Sequence, residues 1–281
     1  MADVPGAAAV ARALTIAGSD SGGGAGIQAD LKTFAALGVY GMSAVTAITA
    51  QNTLGVAAAQ ALDPSLVRAQ IQAVREDLGV DATKVGMLAN EGIVRAVAAA
   101  IADGGLGPVV VDPVMLSKSG HPLLEAEAAR ALREDLVPLA FVLTPNLPEA
   151  AALLGCAMED LHSPQERRAA AASLQRLGAR HVVLKGGHAP RDEEPDLALD
   201  VWYDGEDWRE LRSSWVRTRH THGTGCTFSA AITAGLARGL PLERALDDAK
   251  RYVSWAIAHA PGLGRGSGPL QHFGWPGPEA S

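Results

Sequence analysis

One stretch concentrates the residue types that handle phosphate: His220-Thr221-His222-Gly223-Thr224-Gly225-Cys226-Thr227. A glycine-punctuated loop runs straight into a helical pattern over residues 227–238. Glycines let the backbone turn sharply and aim consecutive N–H groups at a ligand. A helix N-terminus leaves those donors unpaired and adds a positive partial charge. Together they make an anion site suited to a phosphoryl group in transfer. Cys226 falls in the first turn, a position that lowers a thiol pKa. In isolation an ordinary turn followed by a buried cysteine reads the same way, so the rest of the chain has to decide.

A second glycine loop, Ser19-Asp20-Ser21-Gly22-Gly23-Gly24-Ala25-Gly26, joins a short apolar strand to a helical pattern over residues 27–37. It is not a P-loop, because no Lys-Ser or Lys-Thr follows the glycines. It is not the dinucleotide fingerprint, because Ile27 stands where the third glycine belongs. Such glycines let a flat ligand approach the backbone. Asp112 closes the apolar run Val109-Val110-Val111, and ligands of open α/β sheets sit outside the carboxyl ends of strands. Asn146 and Glu149 have capping-box spacing, so each is a cap or a ligand. Ser163 and Glu166 repeat the device as a cap alone.

The elements that must position these residues alternate along almost the whole chain. Strands are predicted at 13–18, 83–88, 109–112, 140–144 and 181–185, and a strand pair within 40–56. A hairpin around Asp204-Gly205 joins 199–203 to 209–216. Helices are predicted at 64–77, with Asp63 as N-cap, at 90–102, 123–136, 167–177 and 242–260. Residues 192–195 read as an acidic loop. Alternation of this kind predicts one three-layer α/β domain over 1–281, its central sheet mostly parallel and flanked by helices. Residues 1–12 and 275–281 read as flexible tails.

Composition narrows the function. The formal charge of −7 argues against a nucleic-acid face, and the 48% hydrophobic content fits a soluble globular chain. Cys156 and Cys226 have neither disulfide-framework nor metal spacing, which fits a reducing, cytoplasmic setting. No signal peptide and no membrane-spanning run is evident.

The sequence resembles the hydroxymethylpyrimidine/phosphomethylpyrimidine kinases of thiamine biosynthesis, members of the ribokinase-like superfamily. The carriers include Leu14-Thr15-Ile16-Ala17-Gly18-Ser19-Asp20, Gly23-Gly24-Ala25-Gly26-Ile27-Gln28-Ala29-Asp30 and Thr46-Ala47-Ile48-Thr49-Ala50-Gln51-Asn52-Thr53. Lys84-Val85-Gly86-Met87-Leu88, Asp112-Pro113-Val114-Met115, Thr144-Pro145-Asn146-Leu147-Pro148-Glu149, Leu184-Lys185-Gly186-Gly187-His188 and Thr221-His222-Gly223-Thr224-Gly225-Cys226 complete the set. The resemblance implies a ribokinase-like fold with a small β flap, ATP and Mg2+ as cofactors, and a homodimer. It implies that Gly18, Ala25, Asp30, Gln51, Met87 and Val114 surround the pyrimidine. It places Asp112 and Glu149 at the metal, and Lys185, Thr224 and Asn146 at the nucleotide. Gly223, Gly225 and Cys226 become the catalytic cradle. No second pathway domain is expected within these 281 residues.

The implied reaction moves a phosphoryl group from MgATP to a primary hydroxyl, a transfer that needs alignment and charge neutralisation above all. Gln51 suits an aminopyrimidine, its carbonyl accepting from the ring amino group and its NH2 donating to a ring nitrogen. A second phosphorylation, of the monophosphate, requires further donors and a movable wall. The backbone of residues 22–26 and a flap over 41–55 are predicted for these roles. A pyridoxal or pyridoxine kinase on the same fold is the closest alternative. A catalytically silent ligand sensor and a thiol redox protein are more distant ones.

Overall fold

The computed structural model describes residues 10–117, 120, 123–187 and 196–277. Among the described residues, ten strands lie in two sheets. The main sheet has the order β10-β9-β8-β7-β6-β5-β1-β2. Its strands are β1 (Arg12–Ala17), β2 (Tyr40–Val45), β5 (Ala82–Val85), β6 (Val109–Val111), β7 (Val142–Leu143), β8 (His181–Lys185), β9 (Leu197–Tyr203) and β10 (Trp208–Ser214). Every neighbouring pair is parallel except β8–β9 and β9–β10, so β9 alone runs backwards in this sheet. The central strands are buried from end to end, as strands covered on both faces must be. The fold is the expected three-layer α/β arrangement.

The small sheet pairs β3 (Ala47–Asn52) with β4 (Gly55–Ala61). This is the flap, and it begins later than the sequence predicts, because β2 joins β1 in the main sheet. β4 leaves most of its residues exposed. Its partner is tied down, with Ser19 N–H donating to Ala47 O at 2.8 Å and Thr46 Oγ1 to Met87 O at 2.6 Å.

Helix ends follow the predicted chemistry. Asp63 accepts from Ser65 N at 2.8 Å to start α2 (Pro64–Asp77), and Asn90 accepts from Ile93 N at 3.0 Å to start α3 (Glu91–Ala102). Capping boxes open α5 (Leu147–Leu154) and α6 (Pro164–Gln175). The predicted helix over 123–136 is shorter and looser. It comprises α4 (Ala126–Ala131), a π turn at Leu132–Leu136 and a 3-10 turn at Val137–Leu139 that takes in Pro138.

Helix α7 (Thr224–Ala237) starts three residues before the predicted position. Gly223 adopts φ 82°, a left-handed N-cap conformation natural to glycine, and Thr224 Oγ1 donates to Thr221 O at 2.8 Å. The helix is buried from Thr227 to Gly235 between α1 (Gly26–Ala36) and α8 (Leu242–Ala258). Gly235 permits that approach, since a Cβ there would lie 2.7 Å from Ala245 Cβ.

Of the predicted tails the structure describes residues 10–12 and 275–277. Arg12 opens β1 and pairs with Asp81 at 2.7 Å. Trp275 packs edge-on against Tyr252 and Trp255. The segment before it forms a strap, with Ser267 N–H donating to Thr53 O at 3.0 Å and His222 N–H to Gly268 O at 3.1 Å. The predicted acidic loop at 192–195 lies outside the described residues, as do 1–9 and 278–281.

Candidate functional site

The strands β1, β5, β6, β7 and β8 point their carboxyl ends at one cleft of about 850 Å³. The parallel topology makes this the place where loops and helix N-termini converge. Gly18, Ala25, Gln51, Met87 and Val114, expected around the pyrimidine, line this cleft together with Asp112, Asn146, Glu149, Lys185 and Gly223, Thr224, Gly225 and Cys226. Gly18 is a close-approach position, because a Cβ would meet Met87 Sδ at 2.7 Å.

Lys185 links two carboxylates of the cleft wall. Its ammonium donates to Asp112 Oδ1 at 2.7 Å and lies 4.0 Å from Glu149 Oε2. It also sits against Gly225, where a Cβ would come within 3.2 Å of Nζ. Burial alone would lower this ammonium, but Asp112 and Glu149 outweigh burial and hold its pKa above the ordinary value. Burial pushes the Glu149 carboxyl up to about 7; Lys185 opposes that rise and Asp112 adds to it. Glu149 also serves as a cap, accepting from Asn146 N at 2.8 Å while Asn146 Oδ1 accepts from Glu149 N at 2.9 Å. The capping box is thus present in the structure, with Glu149 also lining the cleft.

The donor set fits magnesium. The bonds from Lys185 Nζ and from Asn146 N fall on Asp112 Oδ1 and Glu149 Oε2, one oxygen of each carboxylate. Among the described residues no group of three or more His, Cys, Asp or Glu side chains converges to form an all-protein cage. Mg2+ characteristically takes one or two carboxylates, keeps several waters and completes its shell with substrate phosphates.

Three sequence expectations are corrected here. First, burial pushes the Cys226 thiol up to about 11, despite the opposing charge of Lys84 and the Gly26 N–H. The helix end lowers a thiol only when desolvation is small, and here desolvation is the larger effect. Second, the backbone of residues 22–26 is not an open anion nest. Asp20 fills it, accepting from Gly22 N at 2.8 Å, Gly24 N at 3.0 Å and Ala25 N at 2.8 Å. Third, Asp30 does not line the cleft. It lies wholly buried behind the wall, accepting from Lys84 Nζ at 2.9 Å and from Thr15 Oγ1 at 2.6 Å.

Sequence reasoning missed Lys84, Asp20 and His222 as wall residues. Lys84 carried a usable signal, a charge inside the otherwise uncharged run of β5, where burial demands a partner. His222 Nε2 lies 2.8 Å from Asp20 Oδ2 and brings the cradle loop onto the first glycine loop. Burial raises Asp20, but hydrogen bonds from His222, Gly22 and Ala25 outweigh it and leave the carboxyl below its usual range.

A cleft at the ends of parallel strands, roofed by a two-stranded flap and closed by a glycine cradle on a helix N-terminus, defines a ribokinase-like small-molecule kinase. The family model described as phosphomethylpyrimidine kinase matches residues 20–271, and the chain belongs to that family. A hydroxymethylpyrimidine/phosphomethylpyrimidine kinase of Rhizobium meliloti is 52% identical over 266 residues, covering 93% of this chain and 96% of that protein. A thiamine biosynthesis bifunctional protein of Geobacter sulfurreducens is 48% identical over 92% of this chain, which spans 52% of that longer protein. Among solved structures, the Staphylococcus aureus pyridoxal kinase in complex with AMP-PCP and pyridoxal is 35% identical, with a TM-score of 0.83 over 94% of each chain.

Proposed function

We propose that this protein transfers the γ-phosphoryl group of ATP to 4-amino-5-hydroxymethyl-2-methylpyrimidine, then to the resulting monophosphate, giving the pyrophosphate used in thiamine assembly. The carrying observation is that Gln51 and the Gly223–Cys226 cradle line one and the same cleft. An aminopyrimidine edge seated on Gln51 faces its hydroxymethyl group toward the helix N-terminus, where developing negative charge is stabilised.

In the first transfer the acceptor oxygen attacks the γ-phosphorus, the bond to the β,γ-bridging oxygen breaks, and ADP leaves. The N–H groups at the start of α7 and the Lys185 ammonium steady the moving group. Asp112 and Glu149 would hold Mg2+, which when bound would supply charge neutralisation at the ATP phosphates. Cys226 is a neutral thiol in the free site, so it steers the hydroxyl as a hydrogen-bond partner. In a loose transition state the hydroxyl proton departs late and passes to the transferred phosphoryl oxygens. The second acceptor brings its own anion. With the Asp20 nest already filled, the α7 N-terminus and Lys185 are the donors for it. The protein is further proposed to be a cytoplasmic homodimer. Among its described residues no helix is long and apolar enough to cross a membrane.

The pyridoxal complex of the Staphylococcus aureus relative favours one second reading, a vitamin B6 kinase. Initial rates with the aminopyrimidine alcohol and with pyridoxal, each with MgATP, decide between them. The first reading expects the higher kcat/KM on the pyrimidine; a clear preference for pyridoxal overturns it.

A further inference from the structure

Lys185 and Asp200 oppose each other as the last pair of the antiparallel strands β8 and β9. Directly opposed residues project from the same face of the sheet, with Cβ atoms about 5 Å apart, and opposite charges in such places attract. Lys185 nevertheless reaches across to the end of β6, where its ammonium donates to Asp112 Oδ1 at 2.7 Å. The state of Asp200 accounts for this. Both of its carboxylate oxygens are engaged. Gly186 N–H donates to Oδ1 at 2.9 Å, and Lys250 Nζ donates to Oδ2 at 2.6 Å.

These engagements are built into the fold. A Cβ at residue 186 would run into Leu199 O, so glycine lets the end of β8 close against β9 and offer its N–H to the Asp200 side chain. Lys250 stands on α8, which packs along α7, and α7 carries Gly225 beside the Lys185 ammonium. The Lys250 and Asp200 side chains are only 11% and 12% exposed, so water screens their attraction weakly. Both residues line the same cleft as Lys185 and the glycine cradle.

We propose that Lys250 is a positioning residue for phosphoryl transfer, occupying Asp200 so that the Lys185 ammonium stays on Asp112 and beside the cradle. Asp200 is needed to hold Gly186, but by register it is also the carboxylate next to Lys185. Without Lys250 it would be a poorly hydrated anion with one oxygen unpaired. Such a group takes the cation within reach, because an unpaired buried charge is strongly unfavourable. Lys185 would turn to Asp200, and Asp112 and the moving phosphoryl group would lose their ammonium. This deepens the kinase reading and rests on Lys185 steadying the moving group. It is independent of which alcohol is the acceptor.

The test measures kcat at saturating MgATP in the unaltered protein, Lys250→Met and Lys250→Met/Asp200→Asn. The acceptor is whichever of the aminopyrimidine alcohol and pyridoxal the unaltered protein phosphorylates faster. Lys250→Met should lower kcat by about tenfold or more, the scale of one hydrogen bond to a charged group. Its Tm should change little, because Asp200 gains Lys185 as a new partner. Adding Asp200→Asn should restore most of the lost kcat. The amide still accepts from Gly186 N–H, no longer draws Lys185 away, and leaves the net charge of the wall as in the unaltered protein. A lysine that only stabilised the fold, or that itself touched ATP, gives no such rescue. An unchanged kcat or a loss of folding in Lys250→Met, or a double variant no faster than Lys250→Met, overturns this inference alone when the unaltered protein is an active kinase. An unaltered protein that phosphorylates neither alcohol overturns the functional reading and this inference together.

Discussion

Lys84 Nζ lies 2.9 Å from Asp30 Oδ2, and neither side chain has any exposed surface. Thr15 donates to the same oxygen, while Asp30 Oδ1 has no partner. Burial opposes the Lys84 charge, but Asp30 outweighs it and keeps the ammonium protonated. Removing one member of such a pair strands the other as a buried charge, a loss of about 3–5 kcal/mol. Lys84→Met should therefore be strongly destabilised in urea unfolding, and Lys84→Met/Asp30→Leu should regain most of the loss. A single variant within about 1 kcal/mol of the unaltered protein contradicts the pairing.

Cys226 is neutral near pH 7, with its thiol pushed up to about 11 by burial. As a hydrogen-bond partner it is worth about 5- to 150-fold in turnover, against about 10²–10⁴-fold for a general base. Cys226→Ala should fold normally and lose activity in the lower range. The kcat–pH profile should show no thiol limb between pH 6 and 9, and iodoacetamide should label the free site slowly there. A limb near neutral pH that disappears in Cys226→Ser means the thiolate is the base instead.

Glu149 separates its two roles under a single substitution. Glutamine also fits a capping box, so Glu149→Gln keeps the bond to Asn146 N. It removes the negative charge 4.0 Å from Lys185. Tm should hold steady while kcat drops by about tenfold or more and the magnesium requirement rises, since a carboxylate is a far better ligand for a hard cation than an amide. Unchanged kinetics across a magnesium titration would reduce Glu149 to a cap.

Much of this site was legible from residue order. The run of strand, glycine loop and helix at residues 12–36, the carboxylate ending β6 and the cradle before α7 all follow from local patterns. The illegible part depends on register. Thr15 and Lys84 are direct partners across β1 and β5, which is why Asp30 meets both and turns away from the cleft. No spacing along the chain encodes that. The filled nest is a similar case. Asp20 sits next to its own glycines in sequence, but only the folded loop shows its carboxylate taking their donors. The flap was misplaced because Tyr40–Val45 has the same β-forming composition as the flap strand after it.

His272 supplies a pH dependence outside the cleft. Its ring is buried, with Nε2 3.1 Å from Thr227 Oγ1, and burial and then Lys32 hold its pKa down to about 4 from the ordinary 6.5. The folded pKa is depressed, so the unfolded chain takes the proton first as pH falls. Stability from this group is whole above about pH 6.5 and declines toward pH 4, by about 2 kcal/mol between pH 7 and pH 5. His272→Gln should flatten that part of the stability–pH curve in denaturant titrations. An equal slope in the variant assigns the acid sensitivity to other groups.

The central claim is that one cleft performs two successive phosphorylations. A phosphorus NMR time course with catalytic protein, excess MgATP and the aminopyrimidine alcohol reads this directly. A monophosphate resonance should rise first and then decay as a pyrophosphate pair grows, and purified monophosphate with fresh MgATP should give the pyrophosphate without a lag. A monophosphate signal that accumulates to the end and never converts would contradict the account.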